Sequence, residues 1–201
     1  MIQLLTLLIH LKGIARSNIR LGNIRQGIRL AKELNDKILF TECGDILEQQ
    51  KQYSEAAAMY LNGLEYEKAA LIYTKYLIKS DKGRITEAAS IMSKVENDNL
   101  NSAFAKACVT AGRYEDAVKA YERAKDMDKV VELKLRHLDK TQEAFDLVRS
   151  SASAQGAQLV ADFCQETNDY RGAIEFLLIA NNSEEAFKLV KHIYILIMTS
   201  L

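Results

Sequence analysis

An eight-residue pattern, occurring twice in close succession, constrains this chain more than any other feature. Tyr53-x-x-Ala56-Ala57-x-x-Tyr60 is followed almost at once by Tyr66-x-x-Ala69-Ala70-x-x-Tyr73. Positions 0, 3, 4 and 7 of such an octad lie on one face of an α-helix. Alanine at the middle positions lets a neighbouring helix approach closely, and the ring at each end fills the space beside it. Asn62 and Gly63 between the copies predict a helix stop, because both residues tolerate the left-handed conformation. With varying fidelity the octad recurs from Ile24, Tyr53, Tyr66, Ile85, Tyr114, Met127, Thr141, Tyr170 and Ser183. These starts form three triplets with identical internal spacing, a long step from the first member to the second and a short step from the second to the third. Each triplet is displaced as a block from the one before, and the first displacement is the longer. The five extra residues fall between Tyr73 and Ile85, where TKYLIKSDKGR predicts a longer turn. A register kept through three triplets is the signature of a repeat architecture.

The long step of each triplet has room for one more helix. Gly44, Ala105 and Ala161 align there as small residues, followed three positions later by Leu47, Cys108 and Cys164. Tyr53, Tyr114 and Tyr170 then stand at the turn into the next helix. A small residue in the first helix, an aromatic at the turn, and Ala56, Ala117 or Ala173 with Tyr60 or Tyr121 beyond it reproduce the tetratricopeptide pattern. GRYEDAVKAYERA, from Gly112 to Ala124, is the best copy. Each superrepeat therefore holds about four helices, as two antiparallel hairpins. The expected fold is all-α: a right-handed α-solenoid of tetratricopeptide-like hairpins.

Composition agrees. The 201 residues contain no proline, where average usage would place about ten; proline breaks helix interiors, so its absence suits stacked helices joined by short turns. A formal net charge of zero provides no global field to recruit nucleic acid or acidic membranes. Cys43, Cys108 and Cys164 are far apart and odd in number, which reads as reduced thiols in a cytosolic setting.

Residues 1–11, MIQLLTLLIHL, are apolar but too short to span a bilayer, so no direct membrane insertion is expected. The first acidic residue is Glu33, preceded by Lys12, Arg16, Arg20, Arg25, Arg29 and Lys32. Lys12, Arg16 and Arg20 share a helix face as a basic stripe, and the basic residues Arg16, Arg20, Arg25 and Arg29 are candidates for contact with an acidic partner. An Arg-rich, acid-free start also suits a mitochondrial transit peptide, but the octad at Ile24 is already in register. The division that results is a basic, apolar helix over 1–22, a repeat domain over 23–191 and an apolar tail over 192–201.

The search for reaction chemistry finds no constellation. His10, His137 and His192 have no Cys, Asp or Glu at ligand or triad spacing. Phosphate-binding glycine loops, G-x-S-x-G and H-E-x-x-H are missing from the sequence. VENDNLN lacks the glycine and distal glutamate of a calcium loop and reads as a helix boundary with an Asn or Asp cap. Cys108 and Cys164 share a repeat position with Leu47, so packing is their expected role. The tyrosines have the spacing of interhelical packing rather than of a nucleic-acid platform. No enzyme activity, cofactor, metal or nucleic-acid partner is expected.

The order CGDILE, QYSEAAAMY, YEKAALIY, then GRYEDAVKAYERAKDMDKVV, and later GAQLVADF with AIEFLL resembles the C-terminal tetratricopeptide region of the large subunits of intraflagellar transport complex A. The resemblance covers roughly residues 22–190. It implies a non-enzymatic scaffold that contacts other complex A subunits in retrograde ciliary transport and cilium assembly, soluble at the ciliary base and in the cilium or flagellum. Members of that family begin with WD-repeat propellers and continue their solenoid further, so the apolar ends here read as those of a partial product. Without polar capping repeats the isolated chain is expected to self-associate. The alternatives are a helical-repeat adaptor of a vesicle coat or other trafficking complex, and a mitochondrial import-type repeat protein.

Overall fold

In a computed structural model of the chain, residues 2–78 and 81–199 are described, and every regular element among them is helical. Each of the nine octad starts is the first residue of a helix. The nine helices are α2 (Ile24–Leu34), α4 (Tyr53–Asn62), α5 (Tyr66–Ile72), α6 (Ile85–Met92), α8 (Tyr114–Arg123), α9 (Met127–Arg136), α10 (Thr141–Ser151), α12 (Tyr170–Ile179) and α13 (Ser183–Thr199). Between them stand α1 (Ile2–Arg20), α3 (Lys37–Gln49), α7 (Asp98–Thr110) and α11 (Ala154–Glu166). The last three occupy the long steps of the triplets, with Gly44, Ala105 and Ala161 at the same place in each. This is the α-solenoid class expected from the repeat.

Burial explains why the octad takes this form. Position 3, occupied by Gly27, Ala56, Ala69, Ala88, Ala117, Val130, Ala144, Ala173 and Ala186, is buried in all nine helices. Position 7 is buried at Ala31, Tyr60, Tyr73, Met92, Tyr121, Val148 and Leu177. The small residue seats the neighbouring helix, and the larger one fills the space a turn later, each large apolar side chain contributing about 1.5–3 kcal/mol on burial.

The chain forms two compact units, Met1–Ala107 and Cys108–Leu201. In the first, α1 packs on α2 and α3, α3 on α4, and α5 on α4 and α6. In the second, α9 packs on α8, α10 and α11, α11 on α12, and α12 on α13. Val131, Val148, Val160, Cys164, Phe176 and Leu177 belong to one continuous core there. The contacts of α1 with α3 and of α9 with α11 join helices one apart in order, which is how a hairpin stacks on the next.

Two details differ from expectation. Helix α4 does stop at Asn62, but Gly63 is right-handed (φ −76°) and Leu64 takes the left-handed conformation (φ +64°). Gly63 is needed for space instead, since a Cβ there would lie 2.9 Å from Thr41 Oγ1 and 3.2 Å from the Lys37 carbonyl. The same construction recurs. Gly22, Asn35, Lys51, Leu64, Gly112, Lys125, Asp139, Ala152, Asn168 and Asn181 each have positive φ and each lie two positions before a helix start. In the turns after α3, α4, α8, α11 and α12, the next N–H donates to a carbonyl near the end of the helix, as Glu65 does to Tyr60; this is the Schellman closure.

The second difference concerns the five-residue insertion. Rather than lengthening only the turn, it extends α5 through a π-helical stretch, Tyr73–Leu77, closed by Ile78 N–H on the Tyr73 carbonyl. Leu77 and Ile78 are buried, so their apolar side chains draw the extra residues into helix, and the wider π winding absorbs the register change. Lys82–Arg84 then form a 3₁₀ turn into α6.

Candidate interaction surface

The side chains that tie hairpin to hairpin define the surface. Lys12 Nζ lies 2.6 Å from Asp36 Oδ2, and Arg16 Nη1 lies 2.8 Å from Glu42 Oε2, so α1 is clamped to α3 and its N-cap. Asp36 also caps α3 by accepting from Leu39 N–H at 2.8 Å. The hydrogen bond from Lys12 is the main reason its carboxyl is held below the usual range. From α3 the ladder continues through Asp45 Oδ1 to Lys68 Nζ on α5, at 2.8 Å. In the second unit Arg136 on α9 meets Glu166 on α11 at 3.0 Å, and Arg149 on α10 meets Glu175 on α12 at 2.8 Å. The Arg149 guanidinium also lies over the Phe145 and Phe176 rings.

This accounts for half of the basic candidates. Arg16 is engaged with Glu42, and Arg29 with Glu33 one turn on at 3.1 Å. Arg20 ends α1, where its carbonyl accepts from Gln50 Nε2, and Arg25 lies at the start of α2; both side chains are exposed. The four arginines thus do not form one patch of free charge.

The repeat-packing residues behave as a set. Gly44 faces the Tyr60 ring so closely that a Cβ would lie 2.7 Å from it. The Tyr60 hydroxyl lies 2.8 Å from Asp45 Oδ1 and 2.7 Å from Glu48 Oε2, its single proton shared between two carboxylates. Burial, then those carboxylates, raises its pKa. Ala56, Ala105, Ala117, Ala161 and Ala173 are fully buried, and Tyr121 nearly so. Tyr53, Tyr114 and Tyr170 are half-buried at their helix starts.

Sequence reasoning missed what two of these tyrosines touch. Tyr53 stacks on Tyr76 with ring centroids 3.8 Å apart and planes 7° apart; Tyr114 stacks on His137 at 4.1 Å and 12°. Tyr76 follows Tyr53 by the same separation as His137 follows Tyr114, and that shared separation is the signal that could have revealed them. The stack ties the start of the second octad helix to the end of the third.

All three cysteines are buried, and burial is the leading cause that pushes the Cys43 and Cys164 thiols up to about 11 and Cys108 to about 12. Such thiols are poor nucleophiles and metal ligands. Among the described residues no group of three or more His, Cys, Asp or Glu could hold a metal, and no helix is long and apolar enough to cross a membrane.

No family model matches the chain. Relatives do: human WD repeat-containing protein 19 is 38% identical over 181 residues, 90% of this chain. The chain resembles one segment of WD repeat-containing protein 19. The mouse WD repeat-containing protein 19 is 36% identical over 181 residues. The WD repeat-containing protein dyf-2 of Caenorhabditis elegans is 37% identical over 179 residues, 89% of the chain. The chain spans only 12–13% of the length of these relatives. The likeness to WD repeat-containing protein 19 therefore concerns this helical stretch alone.

Proposed function

We propose that this chain is a non-enzymatic scaffold segment of intraflagellar transport complex A, acting by protein–protein contact in retrograde ciliary transport and cilium assembly. One observation carries the reading: identity of 38% runs over 181 residues, 90% of the chain, in a chain whose nine octads each begin a helix. A fold made of stacked hairpins, with side chains spent on joining each hairpin to the next, suits extended contact with other proteins. On this reading the repeat body is residues 23–191, flanked by the basic helix over 1–22 and the tail over 192–201. Its partners are the other complex A subunits, and it works at the ciliary base and in the cilium. Arg20 and Arg25 are the basic residues with which an acidic partner surface would pair.

Tagged co-purification from ciliated cells at physiological salt, with mass spectrometry of the recovered proteins, tests this. Recovery of complex A subunits is expected. Recovery of vesicle-coat or mitochondrial proteins in their place would remove the ciliary reading and leave the solenoid.

A further inference from the structure

The first two superrepeats lock their third octad helix to the next helix through matching positions. At position 7, the Tyr73 hydroxyl donates to Glu87 Oε2 of α6 at 3.1 Å, and Lys134 Nζ lies 2.8 Å from Glu143 Oε2 of α10. Glu87 and Glu143 are both position 2 of their own octad. A second matching contact reaches back to the second octad helix. Lys140, the residue just before α10, lies with Nζ 3.5 Å from Oε1 of Glu115, position 1 of α8. Arg84, the residue just before α6, donates from Nη1 to Oγ of Ser54, position 1 of α4, at 2.8 Å.

The cation is kept at both junctions, but only the second has an anion opposite it. Ser54 stands where the repeat otherwise places a carboxylate, and Arg84 spends its fork of donors on one neutral oxygen. A guanidinium matches an anion with several acceptor oxygens far better. Charge crowding does not forbid one here, because Asp116 follows Glu115 just as Glu55 follows Ser54. Ser54 is half-buried, next to exposed Lys51 and Gln52. No side-chain cap holds the first turn of α4, so that turn can fray and present the hydroxyl.

We propose that Ser54 is a phosphorylation site, and that its phosphate pairs with Arg84 to give the first junction the ion pair already built into the second. A protein kinase supplies the group from a nucleoside triphosphate. The bond from Ser54 Oγ to the γ-phosphorus forms as the bond to the departing nucleoside diphosphate breaks, and the hydroxyl proton passes to the kinase's base. The phosphate brings about two negative charges near neutral pH and three acceptor oxygens. Its consequence is local. The 3₁₀ turn Lys82–Arg84, which closes the five-residue insertion, becomes pinned to α4, so modification tightens the one junction that the repeat leaves longer.

Two measurements test this. In the first, the tagged chain is recovered from cultured ciliated cells under phosphatase inhibitors and digested with trypsin. The peptide spanning residues 52–68 holds Ser54 as its one serine or threonine, and fragmentation should place a phosphate on it. A peptide without phosphate on Ser54 would overturn the site. In the second, phosphoserine is installed at position 54 by genetic encoding and amide hydrogen exchange is compared with the parent chain. Exchange across residues 82–85 should slow by about fivefold, and Ser54→Glu should give a smaller slowing in the same amides. Arg84→Gln should abolish both effects, while the helical circular dichroism stays that of the parent. Unchanged exchange, or slowing that survives Arg84→Gln, would overturn the pairing.

Discussion

The junction from α5 to α6 and the junction from α9 to α10 hold the same place in the repeat, yet the first contains five more residues. In the second, α9 ends at Arg136 and a short link leads to Thr141. In the first, the helix runs on through the π stretch Tyr73–Leu77 before a turn leads to Ile85. The contacts on either side are nevertheless equivalent: position 7 meets a glutamate at position 2, and the turn tyrosine stacks on a ring at the matching place, Tyr76 or His137. What differs is chemistry, because Tyr73 is buried while Lys134 makes its ion pair near the surface. The comparison teaches that octad positions decide the packing and the connection adapts to them.

The largest test sets Tyr73→Ala against Lys134→Ala. Emptying the buried ring site should cost about 3 kcal/mol or more, whereas losing the ion pair should shift stability only slightly, since its glutamate faces solvent. Both are read from urea unfolding monitored by circular dichroism. Equal effects would break the distinction between the junctions. Next, Ala88→Leu and Ala144→Leu overfill position 3 on either side and should cost about 2 kcal/mol each. A loss confined to Ala144→Leu would show that the longer junction is slack where the shorter one is tight. A chimera with the sequence Leu-Asp-Lys, as in residues 138–140, in place of residues 77–84 makes the first junction as short as the second. It should remain helical and lose about 2 kcal/mol through the missing burial of Ile78; failure to fold would mean that the π stretch is required. Leu64→Gly relieves a left-handed leucine and should gain about 1 kcal/mol.

The smallest effects separate the junctions by pH. The hydrogen bond from Lys134 lowers the pKa of Glu143, so the pair's contribution is present above the normal carboxylate range and is lost as pH falls through the lowered value. Burial, then Glu87, raises the pKa of Tyr73; that contribution is present below the normal tyrosine range, about 10, and is lost as pH rises through the raised value. Acid should therefore speed amide hydrogen exchange at α9 and α10 first, and alkali at α5 and α6 first, after correction for the intrinsic pH dependence of exchange. The reverse order would contradict the assignment of these contacts.

Much of the fold was legible because a solenoid repeats its local rule. Position 3 had to be small wherever a helix crossed close by, so Ala56, Ala117 and Ala173 could be placed in the core from spacing alone. The turn geometry was less legible. Leu64 and Ala152 carry positive φ without being glycine, since the backbone closure of each helix end demands that conformation whatever residue is there. Of the interaction surface little could be read in advance. The basic stripe was visible in the sequence, but Arg16 meets Glu42 only because α1 and α3 are stacked, bringing together side chains from separate helices.

The sequence by itself determined the helix starts, the register of the three superrepeats and the small and large positions of each octad. Those depend on periodicity along a single helix, which is a local property. Only the tertiary structure decided which charges were already paired, how α5 absorbed five more residues, and that Arg84 meets Ser54 where Lys140 meets Glu115. Each of these depends on which helix lies alongside, and no spacing within one helix contains that information.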